Sequence, residues 1–455
     1  MSLKLRGKGN AYEKKATSLQ MCKCKFIHIR TFHVTWTSFF VCFFAWFGVV
    51  SLYNPYVIET LNLQNDSDTQ TMIFTRGNTI SALATIIFRI VIGFFCDFMG
   101  ARYSYLVVII VGILSQIAMI FIQTKLDYTI IQFFVGIIGA SFVITEYHMT
   151  TMFDSNCIGL VMGTAAGWGN LGGGVTQTIT PLFAKYITAN NWKASLTLPI
   201  SLLAFIAFPG YYYVAKDTPK GNLHKNIFEP FNKKNFKETC IKFRKTTFNY
   251  RTWIAFFCYA ACFGMEVLIL RYTSRYLVYQ FELKQEAAAS IVLVFSSLNI
   301  FARSLGGYAS DMINVKFGIQ GRVYTLFLCL LCSSVFMLLY SSGYFDIGYT
   351  ILMLIFLSVY IQAAEGVCMA IGPYIVDKDS IGCVFGYIGA GGNFGVMLFS
   401  LTLFEFVPND VTYQFAFTIL ALFIFIVGIS TLLVKFSKSE VKIEENKLKE
   451  IQVKG

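Results

Sequence analysis

Apolar runs of about 20 residues, each closed off by polar turns, recur along this chain, and that is the length an α-helix needs to cross a hydrocarbon layer about 30 Å thick. Twelve can be delimited: roughly 32–56, 71–98, 103–123, 128–153, 158–184 and 195–215, then, past a polar stretch, 252–276, 287–313, 323–342, 347–374, 381–407 and 413–436. Lipid offers no water to backbone groups, so such runs must close their hydrogen bonds within themselves, as helices. A soluble alternative fails on composition. With 56% hydrophobic and 14% charged residues among 455, a water-exposed fold would carry more apolar surface than water tolerates. The expected fold class is an all-α membrane protein with 12 transmembrane helices.

The helices come in two related sets. Gly159-x3-Gly163-x6-Asn170-Leu171-Gly172 returns as Gly382-x3-Gly386-x6-Asn393-Phe394-Gly395, with the glycines and asparagine displaced by 223 positions. Arg89-x3-Gly93-x3-Asp97 returns as Arg303-x3-Gly307-x3-Asp311, and steps of four keep arginine, glycine and aspartate near one face of a helix. The chain therefore divides into a basic N-terminal segment (1–31), a six-helix half (32–215), a linker (216–251), a second, pseudo-symmetric six-helix half (252–436) and a tail (437–455). Duplication combined with arginines inside helices points to transport, with the site between the two copies.

Charge sets the orientation. The N-terminal segment carries Lys4, Arg6, Lys8, Lys14, Lys15, Lys23, Lys25 and Arg30, and the linker carries basic residues from Lys216 through Lys225 to Arg251. An even number of spans places both on the same side as the lysine-rich tail from Lys435. The connections near Asp66, Asp127, Asp346 and Asp410 are poorer in basic residues. The positive-inside rule then puts both termini in the cytoplasm, with the plasma membrane as the default location. The net charge of +12 is mostly a topology signal, since the basic residues flank spans and form no nucleic-acid-binding motif. Asn65-Asp66-Ser67 is a glycosylation sequon on the expected outer side.

The first 31 residues lack the apolar core and cleavage site of a secretory signal, so the first span is expected to act as the insertion signal. The twelve cysteines include Cys96, Cys258, Cys262, Cys329 and Cys368, scattered singly within spans without metal-ligand spacing. They read as small packing residues. Cys22 and Cys24 are either unmodified thiols or sites of palmitoylation. No cofactor is expected: there is no Walker motif, nucleophile triad or metal-ligand cluster. The driving force should be an ion or substrate gradient.

Arg89 and Arg303 fall mid-helix at matching positions of the second and eighth spans. A guanidinium at that depth costs at least about 2.5–3.5 kcal/mol, so each should face the bundle interior or a water-filled cavity. One such arginine could merely pair with a buried carboxylate; two at repeat-related positions favour a substrate site. Two converging planar cations suit a small anion rather than a sugar or a cation. Glycines four apart, Gly159, Gly163 and Gly167, can form a packing seam. The run from Ala166 to Gly174, which contains Gly169 and has its counterpart around Gly392, is so glycine-rich that its backbone should line the central cavity and not lipid. Asn170 and Asn393 then either offer amide donors to a ligand or space the helices. At the helix ends, Asp97, Gly100 and Arg102, with Asp311, Gly318 and Arg322 as a more widely spaced copy, resemble the loop signature of the major facilitator superfamily. That resemblance implies gating, with acid and base latching the halves in one access state.

The stretch GTAAGWGNLGGGVTQ from Gly163 to Gln177 resembles the nitrate signature of the nitrate/nitrite porter family, and GAGGNFG from Gly389 to Gly395 resembles its second copy. The resemblance continues through NYRTW at 249–253, NIFARSLGGYASD at 299–311 and IQAAEG at 361–366. It covers most of the chain from about Phe32 to Phe406 and is most like the eukaryotic high-affinity nitrate transporters. It implies a nitrate ion held between Arg89 and Arg303, with Tyr147 and Tyr259 able to contact it or to serve as core aromatics. Eukaryotic members are proton-coupled symporters; some bacterial relatives exchange nitrate for nitrite.

The chain departs from the eukaryotic pattern at Glu146 and His148, where glutamine and tryptophan are expected. These two residues, with Glu266 and Glu365, either neutralise the arginines or carry protons, because a buried carboxyl is pulled in opposite directions by desolvation and by a neighbouring arginine. Glu266 could alternatively pair with Arg271 or Arg275. The expected function is secondary active transport of a small monovalent anion, nitrate or nitrite, by alternating access with proton coupling. The alternatives are another small or organic anion on the same fold, or a nitrate-sensing transceptor. The expected partners are the anion, protons and the lipid bilayer, with no nucleic acid; the sequence points to no particular accessory subunit.

Overall fold

A computed structural model describes residues 15–224, 233–343, 346–376, 380–405 and 411–436. The tail from 437 and the residues Lys4, Arg6, Lys8, Lys14, Lys225 and Asp410 lie outside the described residues. Helix α1 runs over Ile27–Gly48 and continues, bent, as Ser51–Thr60. Then come α2 (Ser67–Met99), α3 (Ala101–Met119), α4 (Lys125–Met152), α5 (Ile158–Tyr186), α6 (Trp192–Val214), the linker helix α7 (Lys233–Thr247), α8 (Tyr250–Phe281), α9 (Ala287–Phe317), α10 (Ile319–Ser341), α11 (Ile347–Tyr374), α12 (Ile381–Phe404) and α13 (Tyr413–Thr431).

Among the described residues ten of these helices are long and apolar enough to cross a membrane, and bent α1 makes an eleventh. The remaining expected span is α5. Its 29 residues reach well beyond a bilayer core at about 1.5 Å per residue, but its glycines dilute its apolarity. Leaving α7 aside, the elements match the two sets of six read from the repeats.

Of the spans that depart from regular helix, two bear on the buried arginines. In α4 the chain breaks at Gly139 and Ala140: Val143 N–H bonds to the Ala140 carbonyl at 3.0 Å, one residue short of its α-helical partner Gly139, which frees the Gly139 carbonyl for a side chain. In α8 a widened π turn occupies Ala260–Gly264, between Tyr259 and Glu266; such turns recur at functional sites.

The halves meet crosswise. Helix α5, which carries the first glycine signature, packs on α9, and α12, which carries the second, packs on α2. A Cβ added to Gly159 would run into the Gly307 carbonyl, and one added to Gly163 would lie 2.5 Å from the Arg303 carbonyl. In the other pair, a Cβ at Gly382 would sit 2.5 Å from the Gly93 carbonyl and one at Gly386 2.7 Å from that of Arg89. Backbone therefore touches backbone along both seams, and the arginines emerge from those same helices.

Candidate anion site and gate

Arg89 on α2 and Arg303 on α9 are fully buried, and their charges repel each other. Each guanidinium is only partly satisfied. Arg89 donates from Nε to the Gly139 carbonyl (3.1 Å) and from Nη1 to the Gly389 carbonyl, while its Nη2 is buried without a hydrogen-bond partner. Arg303 forms an ion pair through Nη2 with Glu365 on α11 and lies 3.5 Å from the Tyr259 hydroxyl, while its Nε and Nη1 are left over. Buried N–H groups on a charged side chain are costly to leave unpaired, and both guanidiniums keep donors to spare for an acceptor.

Aromatic rings link the two cations. Arg89 lies over Phe142 (5.0 Å) and Phe263 (5.5 Å); Phe142 stacks on Tyr259 (5.4 Å), and Tyr259 stacks on Phe263 (5.4 Å). The ring faces are negative and hold the Arg89 guanidinium in place without neutralising it. Gly392 makes room for the Tyr259 and Phe263 rings, and Gly389 for the Arg89 side chain. Gly169 does the same for Phe39 on α1.

Three carboxyl groups gather on the Arg303 side. Glu365 is its ion-pair partner, Glu266 accepts from Asn299 Nδ2 at 2.7 Å, and the fields of Glu266 and Glu146 reach Arg303. Both Glu146 oxygens are buried without a hydrogen-bond partner. Glu266 does not use Arg271, whose Nη1 reaches Ser400 Oγ at 3.3 Å. Elsewhere on α4, His148 joins a different network, bonded to Thr35 Oγ1 (3.3 Å), Tyr211 Oη (3.1 Å) and the Lys216 carbonyl (2.7 Å), which ties α1, α6 and the start of the linker together. Tyr147 is buried, and as Glu146's immediate neighbour it faces another direction. Asn170 Oδ1 and Asn393 Nδ2 are buried without partners.

The candidate gate residues lie at the end where the N-terminal segment and the linker are. Asp97 on α2 accepts from the N–H groups of Gly382 and Cys383 (both 2.8 Å), and Asp311 on α9 accepts from those of Gly159 (3.0 Å) and Leu160 (2.8 Å). These are first-turn amides of α12 and α5, helices whose own cap positions, Ser380 and Cys157, supply no side-chain bond. A carboxylate at a helix N-terminus satisfies orphan N–H groups and meets the positive end of the dipole; here it comes from the opposite half.

Arg322 pairs with Asp311 at 2.8 Å and crosses to the Ser155 carbonyl at 2.8 Å. Arg102 behaves differently, donating to the Tyr211 (3.3 Å) and Tyr212 (2.8 Å) carbonyls at the end of α6. The cation whose field reaches Asp97 is Lys242 on the linker helix. Gly100 and Gly318 make the tight connections that follow α2 and α9, with φ of 87° and 66°, angles that only glycine adopts freely. Just beyond, Asp217 accepts from Arg102 N (2.8 Å) and Leu223 N (3.2 Å); burial raises its pKa despite these bonds.

Sequence reasoning singled out the arginines, the glycines and the aspartates. It missed Phe142, Phe263 and Asn299, and the carbonyls of Gly139 and Gly389. Among 46 phenylalanines two carry no signal, but Asn299 stands four residues before Arg303 and so shares its helical face.

A family model described as Major Facilitator Superfamily matches residues 35–400. The chain is 31% identical over 408 residues to high affinity nitrate transporter 2.5 of Arabidopsis thaliana, covering 86% of this chain and 77% of that one. It is 24% identical to the nitrate/nitrite transporter NrtP of Nostoc punctiforme, covering 83% and 87%. In fold it is similar to the proton:xylose symporter XylE (TM-score 0.69, 10% identity, 90% of this chain and 96% of that one) and to the human organic anion transporter MFSD10 (TM-score 0.63, 12% identity, 89% and 99%).

Proposed function

The chain belongs to the major facilitator superfamily, and on that footing we propose that it is a secondary active transporter, not an enzyme, that carries nitrate or nitrite by rocking its two halves about a site between Arg89 and Arg303. The observation that carries this reading is the set of buried, unpartnered donors, Arg89 Nη2 with Arg303 Nε and Nη1, one cation from each half. A small planar oxyanion bridging them would satisfy donors from both halves at once. The names of the sequence relatives support the choice of nitrate and nitrite.

Tyr259, Asn170 and Asn393 surround the anion in this reading, and the aromatic rings exclude water. Tyr147 stands farther round α4 as a wall residue. The glutamates beside Arg303 couple transport to protons, with His148 fixing the helix that bears Glu146. Asp97, Asp311 and Arg322 hold the terminal side closed, while Arg102 anchors the loop that joins α2 to α3. That side is the cytoplasm, by the charge distribution, and the protein resides in the plasma membrane.

The test is uptake of labelled nitrate into proteoliposomes with and without an inward proton gradient, and with nitrite loaded inside. Saturable, proton-stimulated uptake is expected. Uptake that requires internal nitrite and ignores protons would replace symport by exchange, and absence of flux in folded protein would refute the assignment.

A further inference from the structure

Arg89 and Arg303 occupy matching repeat positions but are not equivalent. Arg89 is held by two backbone carbonyls and two aromatic faces, none of which bears a formal charge. Arg303 already has an anion, the buried carboxylate of Glu365. The two residues belong to one rigid unit: Gly306 on α9 backs onto the Ala363 backbone on α11, and Gly366 onto the Arg303 carbonyl. Both helices lie in the second half, so rocking of the halves leaves this pair together. An arriving oxyanion that bridges the two arginines therefore meets a tethered competitor with the same planar, two-oxygen chemistry.

Resting on the proposed anion site, we infer that Glu365 is an internal counter-ion which occupies Arg303 in the empty carrier and must take up a proton before the transported anion can bind there. The proton passes from water to a Glu365 carboxylate oxygen, the ion pair dissolves, and the guanidinium donor is turned over to the substrate. When the anion leaves on the other side, Glu365 releases the proton and re-forms the pair. Arg89 remains charged throughout and provides the initial attraction. Binding order follows: proton first, anion second.

Among the described residues, the other ionisable groups around the pair are Arg89 on α2, Tyr259, Cys262 and Glu266 on α8, Glu146 on α4, Cys368 on α11 itself, which hydrogen-bonds with Cys262, and, beyond Cys262, Cys329 on α10. Helix α5 has its only lysine, Lys185, at its far end. Glu266 is engaged by Asn299, and Glu146, whose field reaches Arg303, stands in no ion pair among the described residues. Of the three glutamates, Glu365 is the one in an ion pair with the cation that the anion would claim.

The measurement uses purified full-length protein. In weakly buffered detergent solution, nitrate binding by the wild type should draw protons from a pH indicator dye, and nitrate affinity should fall about tenfold per pH unit above the titration of Glu365. Glu365→Gln, which keeps shape but no charge, should bind nitrate with no proton uptake and a flat pH profile. In proteoliposomes it should keep nitrate/nitrate exchange and lose proton-driven accumulation. Nitrate binding by the wild type without proton uptake overturns the proposal even if the variant cannot be prepared, as does an unchanged pH profile in Glu365→Gln or loss of binding by that variant in folded form. If the wild type binds no nitrate and Arg89→Ala changes nothing, the anion-site reading itself fails; binding that depends on Arg89 but not on Glu365 sinks this inference alone.

Discussion

Asp97 acts as the missing helix cap for Gly382, a residue 285 positions away in the opposite half. Asp311 does the same for Gly159, so the two contacts are related by the repeat, and both lie at the end of the bundle where the linker emerges. Together they close the seams α2–α12 and α5–α9 below the arginines.

Removing one cap should shift the access equilibrium. Hydrogen bonds to a charged group contribute about 1.5–3 kcal/mol each, and about 1.4 kcal/mol is tenfold in a population. Asp97→Ala should therefore open the terminal side by at least about tenfold. Alkylation of Cys383, buried here, reports it: its rate should rise by that factor, and an unchanged rate would show that Asp97 does not hold the gate.

The glycine seams give a sharper steric prediction. A Cβ on Gly307 would run into the Gly159 backbone, whereas one on Gly174 meets nothing within 4 Å. Gly307→Ala should lower stability by about 1–3 kcal/mol, as overpacking does, and suppress transport. Gly174→Ala should leave both within error. Thermal unfolding and uptake on the same preparations decide it.

These seams show how far the sequence could be read. Lipid admits few ways to place an arginine or a glycine run, so the repeats alone singled out Arg89, Arg303 and the glycine seams, but not that each seam joins one half to the other. Counter-ions were harder, because Glu146, Glu266 and Glu365 come from three helices and only packing decides which meets Arg303. The repeat also suggested equal roles for Arg102 and Arg322, yet Arg322 follows its glycine by four residues and Arg102 by two. That spacing turns Arg102 to the end of α6 and leaves Asp97 to Lys242 of the linker. The break at Gly139 had no sequence signal beyond one glycine among many.

At the site, Arg89→Lys keeps the charge but loses the planar fork that reaches Gly139 and Gly389. Losing a buried, hydrogen-bonded charge contact typically costs about 2–5 kcal/mol, so the ratio of maximal uptake rate to KM should fall by on the order of 100-fold. Tyr259→Phe preserves the stack on Phe142 and removes only a hydroxyl at 3.5 Å. It should cost less than about tenfold, since a typical hydrogen bond contributes about 0.5–1.5 kcal/mol. Equal losses in the two variants would mean that the ring stack, not the guanidinium, positions the anion.

Asp217 gives the pH prediction. Burial raises its pKa above the ordinary 3.8, so the folded state binds the proton more tightly than the unfolded one. The carboxyl's contribution to stability therefore rises as pH falls through the native pKa, levels off below 3.8, and is least favourable at neutral pH. Asp217→Asn should flatten that slope in a thermal-stability series across the acid range; an identical slope would assign the dependence to other groups.

The gate's reliance on peptide N–H groups bears on mutational tolerance. Asp97 and Asp311 both bond to amides, which every residue except proline carries; Leu160 offers Asp311 only its N–H, whereas the Cys383 thiol also hydrogen-bonds with Asp97. Proline at either position would silence the amide donor, whereas other substitutions at Leu160 are limited by the space around the helix end and not by the bond. A closure of this kind depends on the two acids and on donor amides, while the receiving glycines, Gly159 and Gly382, are fixed separately by the backbone that touches them.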